Sequence, residues 1–284
     1  IIGTPSIPSS SNPVLNKSAS ALVKTTTPIF IFLFSKNLIL MFNISLISFI
    51  GGIILKLKKN DPDFFEIFNN FNNKEILEYV SISKRTRFIV TLATLITNTS
   101  KEKYAIAVRD ALEVLGPIEI KEVLYQSVAY VGLGKIFELF EITNNVFVEN
   151  GIELPLKSIS TVNSENRHEK GLDIQKRYFG SEMIESMIEN APEGQERFND
   201  FLAGFCFGDF YTRDALSDQD RELITFSILA TLGGCENQLR GHVLGNLNVG
   251  NDKDILIDAL TILLPYIGFP RTLNALSIVN EICE

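Results

Sequence analysis

Three residues near the C-terminal end could supply acid, nucleophile and base chemistry. Glu222 lies in Ser217-Asp-Gln-Asp-Arg-Glu222-Leu-Ile-Thr, and Cys235 and His242 lie in Gly233-Gly-Cys235-Glu-Asn-Gln-Leu-Arg-Gly-His242. His242 is one of two histidines in the 284-residue chain, and imidazole changes charge nearest to neutrality of all side chains. Cys235, Gln238, Leu239 and His242 fall at i, i+3, i+4 and i+7, which is one face of a helix. A rise of 1.5 Å per residue separates the thiol and the imidazole by about 10 Å along the axis. Direct proton transfer needs an approach of about 3 Å, so His242 cannot deprotonate Cys235 unaided. Gln238 stands between them and can hydrogen-bond, but it does not titrate.

Each of the three residues also has a plainer role. Glu222 falls in the first turn of a helix that Leu223, Ile224, Phe226, Ile228, Leu229 and Leu232 make apolar nearly all round, which implies burial. Its carboxylate is then either exposed near the positive helix end or tucked into the core with a partner. His242 fits a satisfied core histidine as well as a base. Cys235 fits a small buried hydrophobe, or, if exposed at the helix start after two glycines, a thiol of lowered pKa. Cys206, between Phe205 and Phe207, reads as packing.

From Asp61 onward apolar residues recur at three- and four-residue intervals, and Gly- or Asn-rich breaks separate the segments. That pattern predicts an all-α protein. It also repeats. Ser83-Lys-Arg-Thr-Arg87-Phe-Ile-Val-Thr-Leu matches Ser217-Asp-Gln-Asp-Arg221-Glu-Leu-Ile-Thr-Phe, and Tyr130-Val-Gly-Leu matches Tyr266-Ile-Gly-Phe after two extra residues. Each copy should be a capped helix, a second helix, a glycine turn, a third helix and a glycine kink into a last helix. Ser217 and Asp220 have the spacing of a capping box, and Gly233-Gly234 should stop the helix. The copies differ where chemistry would sit: Phe88, Lys101 and Val108 stand at the positions of Glu222, Cys235 and His242. One copy therefore reads as scaffold and the other as potentially active. The predicted division is an N-terminal extension over 1–60, a degenerate repeat over 61–155 and a site-bearing repeat over 156–284, with residues 145–170 as the linker, polar and charged around Ser158–Lys170.

Composition narrows the function. A net charge of −8 without a basic stripe argues against a nucleic-acid surface. Three cysteines are too few for a secreted disulfide framework, so a reducing, cytoplasmic setting is expected. No zinc-type spacing is present, and neither a metal nor another cofactor is expected. Residues 1–28 are rich in Ser, Thr and Pro, and residues 37–55 carry no charge. The latter stretch is long enough to span a bilayer, although Asn43, Ser45, Ser48, Gly51 and Gly52 weaken it. Membrane association is expected only through this segment. The alternative is a start site placed too early, with Met41 inside the stretch.

Gly171–Glu281 resembles a carboxymuconolactone decarboxylase domain, of the all-helical alkyl hydroperoxidase D-like fold. The resemblance rests on Phe207-Gly-Asp-Phe-Tyr-Thr-Arg213, Arg221-Glu-Leu223, the Gly-Cys-Glu-Asn-Gln-Leu-Arg-Gly-His242 run, Gly250, and Tyr266-Ile-Gly-Phe-Pro270 with Asn274-Ala275. Residues 61–155 resemble a degenerate second copy. Peroxidase-type members carry two cysteines three apart before the histidine, with an acid on the preceding helix. Here Gln238 occupies the second cysteine position, so the dithiol cycle cannot run within this motif. Decarboxylase-type members keep the acid and the histidine without the thiol pair.

The resemblance implies cofactor-free decarboxylation, or related proton transfer, on a small carboxylated lactone or organic acid. His242 would move the proton, Glu222 would orient and tune it, and Arg221 or Arg240 could hold a carboxylate. Two alternatives stay open: peroxide or disulfide reduction by Cys235, resolved by Cys206, and a non-catalytic oligomeric interaction protein. Single-copy relatives assemble as trimers or hexamers, which implies that the tandem chain pairs its own halves and forms a homo-oligomer about a threefold axis, or alternatively that the first copy only caps the second.

Overall fold

Ser217 accepts a hydrogen bond from the backbone N–H of Asp220 at 3.1 Å, and Asp220 returns one from the Ser217 N–H at 3.3 Å. This capping box starts the central helix of the chain. In the computed structural model, which describes residues 56–284, that helix spans Asp218–Leu232. The first copy contains α1 (Pro62–Asn70, continuing through a π-helical turn Phe71–Glu75 into Ile76–Glu78), α2 (Lys84–Thr97), α3 (Lys101–Ala111), α4 (Pro117–Val131) and α5 (Leu133–Glu149). Helices α6 (Arg167–Phe179) and α7 (Ser181–Glu189) follow the linker. The second copy contains α8 (Glu196–Phe201, running into a π-helix Leu202–Tyr211), α9 (Asp218–Leu232), α10 (Glu236–Val249) and α11 (Lys253–Ile282). Among the described residues there is no strand, and the all-α tandem repeat expected from periodicity is what the chain forms.

The repeat extends to backbone detail. Gly132 ends α4 at φ 81°, ψ 147°, and Gly268 interrupts α11 at φ 76°, ψ 165°. Both angles lie where only glycine is comfortable, so the two Tyr-x-Gly sequences make the same bend. Ser83 caps α2 through the Thr86 N–H as Ser217 caps α9. Gly233, at φ 64°, stops α9 as expected.

The copies exchange helices. Helix α9 packs against α2 and α4 of the first copy as well as α10 and α11 of its own, and α11 packs in turn against α2. Phe226, Ile224, Ile228 and Val243 are fully buried in the core this creates. Truncating Phe226 to Ala would cost about 3–5 kcal/mol, by lost transfer and cavity terms. Arg85 pins the copies polar-to-polar: its guanidinium forks onto Asp220 at 2.9 and 2.8 Å and reaches Glu119 at 2.7 Å.

The π-helix and α6 approach backbone to backbone. A Cβ on Gly171 would lie 1.8 Å from the Ala203 carbonyl oxygen, and one on Gly208 would lie 2.2 Å from that of Arg167. Only hydrogen fits at either place. The contact aims Cys206, Phe207 and Tyr211 into a buried cluster with Tyr178. The linker is shorter than its polar composition predicts, because α5 runs to Glu149 and α6 begins at Arg167. The apolar segment 37–55, and with it the expected membrane contact, lies outside the described residues.

Candidate functional site

Glu222 is the fifth residue of α9, just past the first turn in which it was expected, and has no exposed surface. Of its two sequence readings, the tucked-in carboxyl is the one realised. Room for it comes from α10: a Cβ on Gly245 would sit 2.4 Å from Glu222 Oε2 and 2.9 Å from the Phe179 ring. One turn earlier on α10, His242 Nδ1 lies 2.8 Å from Glu222 Oε2. In the tautomer that places the proton on Nδ1, Glu222 Oε2 accepts the Nδ1–H and Nε2 is left free of this bond. The other oxygen, Glu222 Oε1, is buried without a hydrogen-bond partner among the described residues. Asn246 fixes the two helices at this point, donating to the Glu222 carbonyl at 3.1 Å and to that of His242 at 2.6 Å. Asn251 holds Asn246 in turn, donating to its Oδ1 at 2.8 Å.

The imidazole is clamped by two aromatic rings. Phe179 meets it edge-to-face at 5.3 Å between centroids and 90°, and Tyr130 at 5.9 Å and 78°. Tyr130 belongs to the first copy, so the copy read as scaffold supplies a wall of the site. From Tyr130 a chain of hydroxyls runs inward: Tyr130 to Tyr211 at 2.6 Å, and Tyr211 to Thr225 at 2.6 Å. Cys206 donates its thiol to the Tyr130 oxygen at 3.7 Å. Burial pushes the Cys206 thiol up to about 12. Burial also drives Tyr130 and Tyr211 well above the ordinary tyrosine value, aided by their negative-going neighbours Cys206 and Glu222. These groups are neutral near pH 7, so the surroundings of Glu222 and His242 are apolar rings and uncharged hydroxyls.

Behind this wall lies a buried ion network. Arg221, 1% exposed, donates to Gln126 Oε1 at 3.0 Å, Glu122 Oε2 at 3.3 Å and the Arg213 carbonyl oxygen. Arg213 donates to Glu122 Oε1 at 2.8 Å. Gln126 also donates to Thr225 Oγ1 at 2.9 Å, joining the network to the hydroxyl chain.

The structure thus brings Glu222 and His242 together and leaves Cys235 elsewhere. Cys235 is half-buried at the N-cap of α10, where its thiol donates to the Leu229 carbonyl at 3.4 Å. It lines a small crevice with Gly233, Arg271, Asn274 and Ile278. The lowered thiol pKa expected of an exposed helix-start cysteine is corrected: burial first, then Glu236, raise it. Cys206 packs with the aromatic cluster and Cys235 with the main core, and both are free thiols. Gln238 is exposed. Arg221 and Arg240, each open to holding a carboxylate or to lying at the surface, both have partners within the chain. Arg221 is spent on Glu122 and Gln126, and Arg240 is an exposed partner of Glu281 at 2.6 Å. Tyr130, Tyr211, Phe179, Gln126 and Gly245 escaped the sequence reading. The matched Tyr-x-Gly pair did single out Tyr130, but spacing along one copy cannot show a contact with the other.

Two all-helical copies, one holding an acid–imidazole pair and the other closing over it, define a tandem helical protein with one candidate site. The family model described as "Carboxymuconolactone decarboxylase family" matches the chain twice, over residues 62–145 and 196–281. The chain belongs to the carboxymuconolactone decarboxylase family, with two copies in tandem. It is 28% identical over 121 residues to a 4-carboxymuconolactone decarboxylase from Acinetobacter baylyi (strain ATCC 33305 / BD413 / ADP1), covering 43% of this chain and 90% of that protein. That protein is about the length of one copy with its flanks.

Proposed function

We propose that the second copy, closed by Tyr130 of the first, catalyses decarboxylation or closely related proton transfer on a small carboxylated lactone or organic acid. The observation that carries this reading is the 2.8 Å contact between buried Glu222 and His242, set between two aromatic rings. In the reaction the bond from the carboxylate to the ring carbon breaks, carbon dioxide leaves, and the electron pair enters the conjugated system. His242 as the imidazolium delivers its Nε2 proton to the carbanionic carbon and is left as the Nδ1–H tautomer bonded to Glu222, until solvent reprotonates Nε2. Glu222 fixes the tautomer and steadies the imidazolium, a role that needs a buried, oriented carboxylate. A substrate carboxylate brought against His242 would meet the Phe179 and Tyr130 rings, which disfavour it relative to the charge-dispersed transition state. Family membership and the named relative support the reaction type.

The test is turnover of 4-carboxymuconolactone, followed by carbon dioxide release and loss of the substrate's ultraviolet absorbance. His242→Gln should lower kcat by about 100- to 10,000-fold, the usual worth of a positioned acid–base group, with an unchanged circular dichroism spectrum. Equal turnover by wild type and His242→Gln would overturn the assignment.

A further inference from the structure

The packing of helices across the copies makes a pocket in the first copy, at the place that corresponds to the Glu222–His242 pair of the second. Tyr266 stands to the first copy as Tyr130 stands to the second. Beneath it lies a cavity of about 370 Å³, within the size range of small-molecule sites. Phe68, Phe88, Leu95, Ile262 and Tyr266 supply apolar surface, and Arg87 and Lys103 supply charge. Phe88 occupies the position of Glu222, and Val108 that of His242, so this pocket has lost the acid–base pair.

Its arginine has changed role. Arg87 corresponds to Arg221, whose guanidinium is consumed by Glu122 and Gln126. With Tyr130 matched to Tyr266, the counterparts of those two partners are Asp258 and Ile262. Asp258 is one methylene shorter and is taken up elsewhere: its Oδ2 accepts from the Ser81 N–H at 2.7 Å, the Ser81 hydroxyl at 2.8 Å and the Ile82 N–H at 3.1 Å. Ile262 offers no acceptor. The half-buried Arg87 guanidinium therefore has no hydrogen-bond or ion-pair partner among the described residues, and it lines the cavity. Lys103 lies 4.7 Å from the Phe68 ring centroid at the same cavity. Of the remaining charged lining groups, Lys84 is paired with Glu113 at 2.6 Å, and burial raises Asp110 from the ordinary carboxylate value as it lowers Lys103 from the ordinary amine value, which leaves the Arg87 guanidinium as the fixed charge of the cavity. The balance is positive over an apolar floor. Guanidinium groups freed in this way are suited to planar bidentate anions.

We infer that the first copy holds a non-catalytic binding site for a small amphipathic carboxylate, with Arg87 gripping the carboxylate and the apolar floor taking the hydrocarbon body. The site is independent of turnover at His242. Calorimetric titration of the full chain with 3-phenylpropionate and with its neutral amide tests it. The acid should bind at least tenfold more tightly than the amide. Arg87→Met should lower the acid's affinity about tenfold and leave the amide's unchanged. Thr91→Phe, which fills the cavity from α2, should abolish both. His242→Gln should bind the acid as wild type does, which separates this site from the catalytic one whether or not turnover is found. Circular dichroism verifies that each variant is folded. Absence of binding by the wild type, equal affinity for acid and amide, equal affinity of wild type and Arg87→Met, or loss of binding in His242→Gln would each overturn the inference.

Discussion

Tyr130 of the first copy lies edge-on to His242 of the second, 5.9 Å between ring centroids, while its hydroxyl is bonded to Tyr211 at 2.6 Å. The imidazole is therefore positioned from both copies. Tyr130→Ala should lower kcat/KM more than tenfold, because the ring that confines His242 is gone. Tyr130→Phe keeps the ring and loses only the hydroxyl chain, so its activity should fall less than fivefold. Steady-state kinetics of the two variants on the lactone decides; equal effects would place the contribution in the hydroxyl instead.

Gly245 is the closest backbone approach to the candidate acid. In Gly245→Ala the new methyl would overlap Glu222 Oε2 at 2.4 Å and Phe179 at 2.9 Å. Overpacking of this kind costs about 1–3 kcal/mol, and here it also pushes the carboxylate off the imidazole. Thermal denaturation should show a lower Tm, and turnover should fall further than the stability loss explains. Adding Glu222→Asp should recover part of the lost Tm by shortening the displaced side chain, without restoring turnover.

The Glu122–Arg221 pair is 1% exposed on both sides, with Arg213 as a third member. Removing Arg221 leaves Glu122 with Arg213 as an ion-pair partner but takes the donor from buried Gln126 Oε1. Arg221→Met should therefore destabilise the fold by about 1–3 kcal/mol. Because the residues share one network, Glu122→Gln combined with Arg221→Met should cost less than the sum of the single changes. Urea denaturation of the four proteins measures both statements.

Alkaline pH should loosen the aromatic cluster before the rest. Cys206 is raised from the ordinary thiol value of 9.0 to about 12, chiefly by burial. Between those values the unfolded chain has lost the proton that the folded chain retains. The stabilisation is thus complete below pH 9 and is lost as pH rises toward 12. Tyr130 and Tyr211, also raised, act in the same direction from pH 10 upward. Cys206→Ala should show a shallower fall of Tm between pH 9 and 11 than wild type; parallel curves would show that the thiol does not contribute.

What the sequence revealed and what it hid follow from the range of the interactions. The capping box at Ser217, the glycine stop at Gly233 and the paired Tyr-x-Gly bends are local, so their spacing displays them. The side-by-side placement of Glu222 and His242 was open to suspicion for the same reason, since they sit on consecutive helices joined by a glycine turn. The π-helix Leu202–Tyr211 left no such mark, because its widened ladder breaks the 3.6-residue period on which pattern reading depends. The role of Arg221 stayed open because its partners, Glu122 and Gln126, lie almost a hundred residues away. The burial of Cys235, and with it the raised thiol pKa, depends on α11 packing over the start of α10, which no local pattern announces.

The exchange of α4 and α9 between copies means that freedom to change does not follow the chain. Exposed residues of the first copy such as Lys101 can drift without touching His242, and the lining of the pocket beneath Tyr266 can change independently of it. Glu122, Gln126 and Tyr130, only a few turns away, cannot, since they brace Arg221, Thr225 and His242 across the interface. Substitution tolerance, mapped residue by residue, should therefore form two interleaved territories rather than a permissive N-terminal half and a strict C-terminal one.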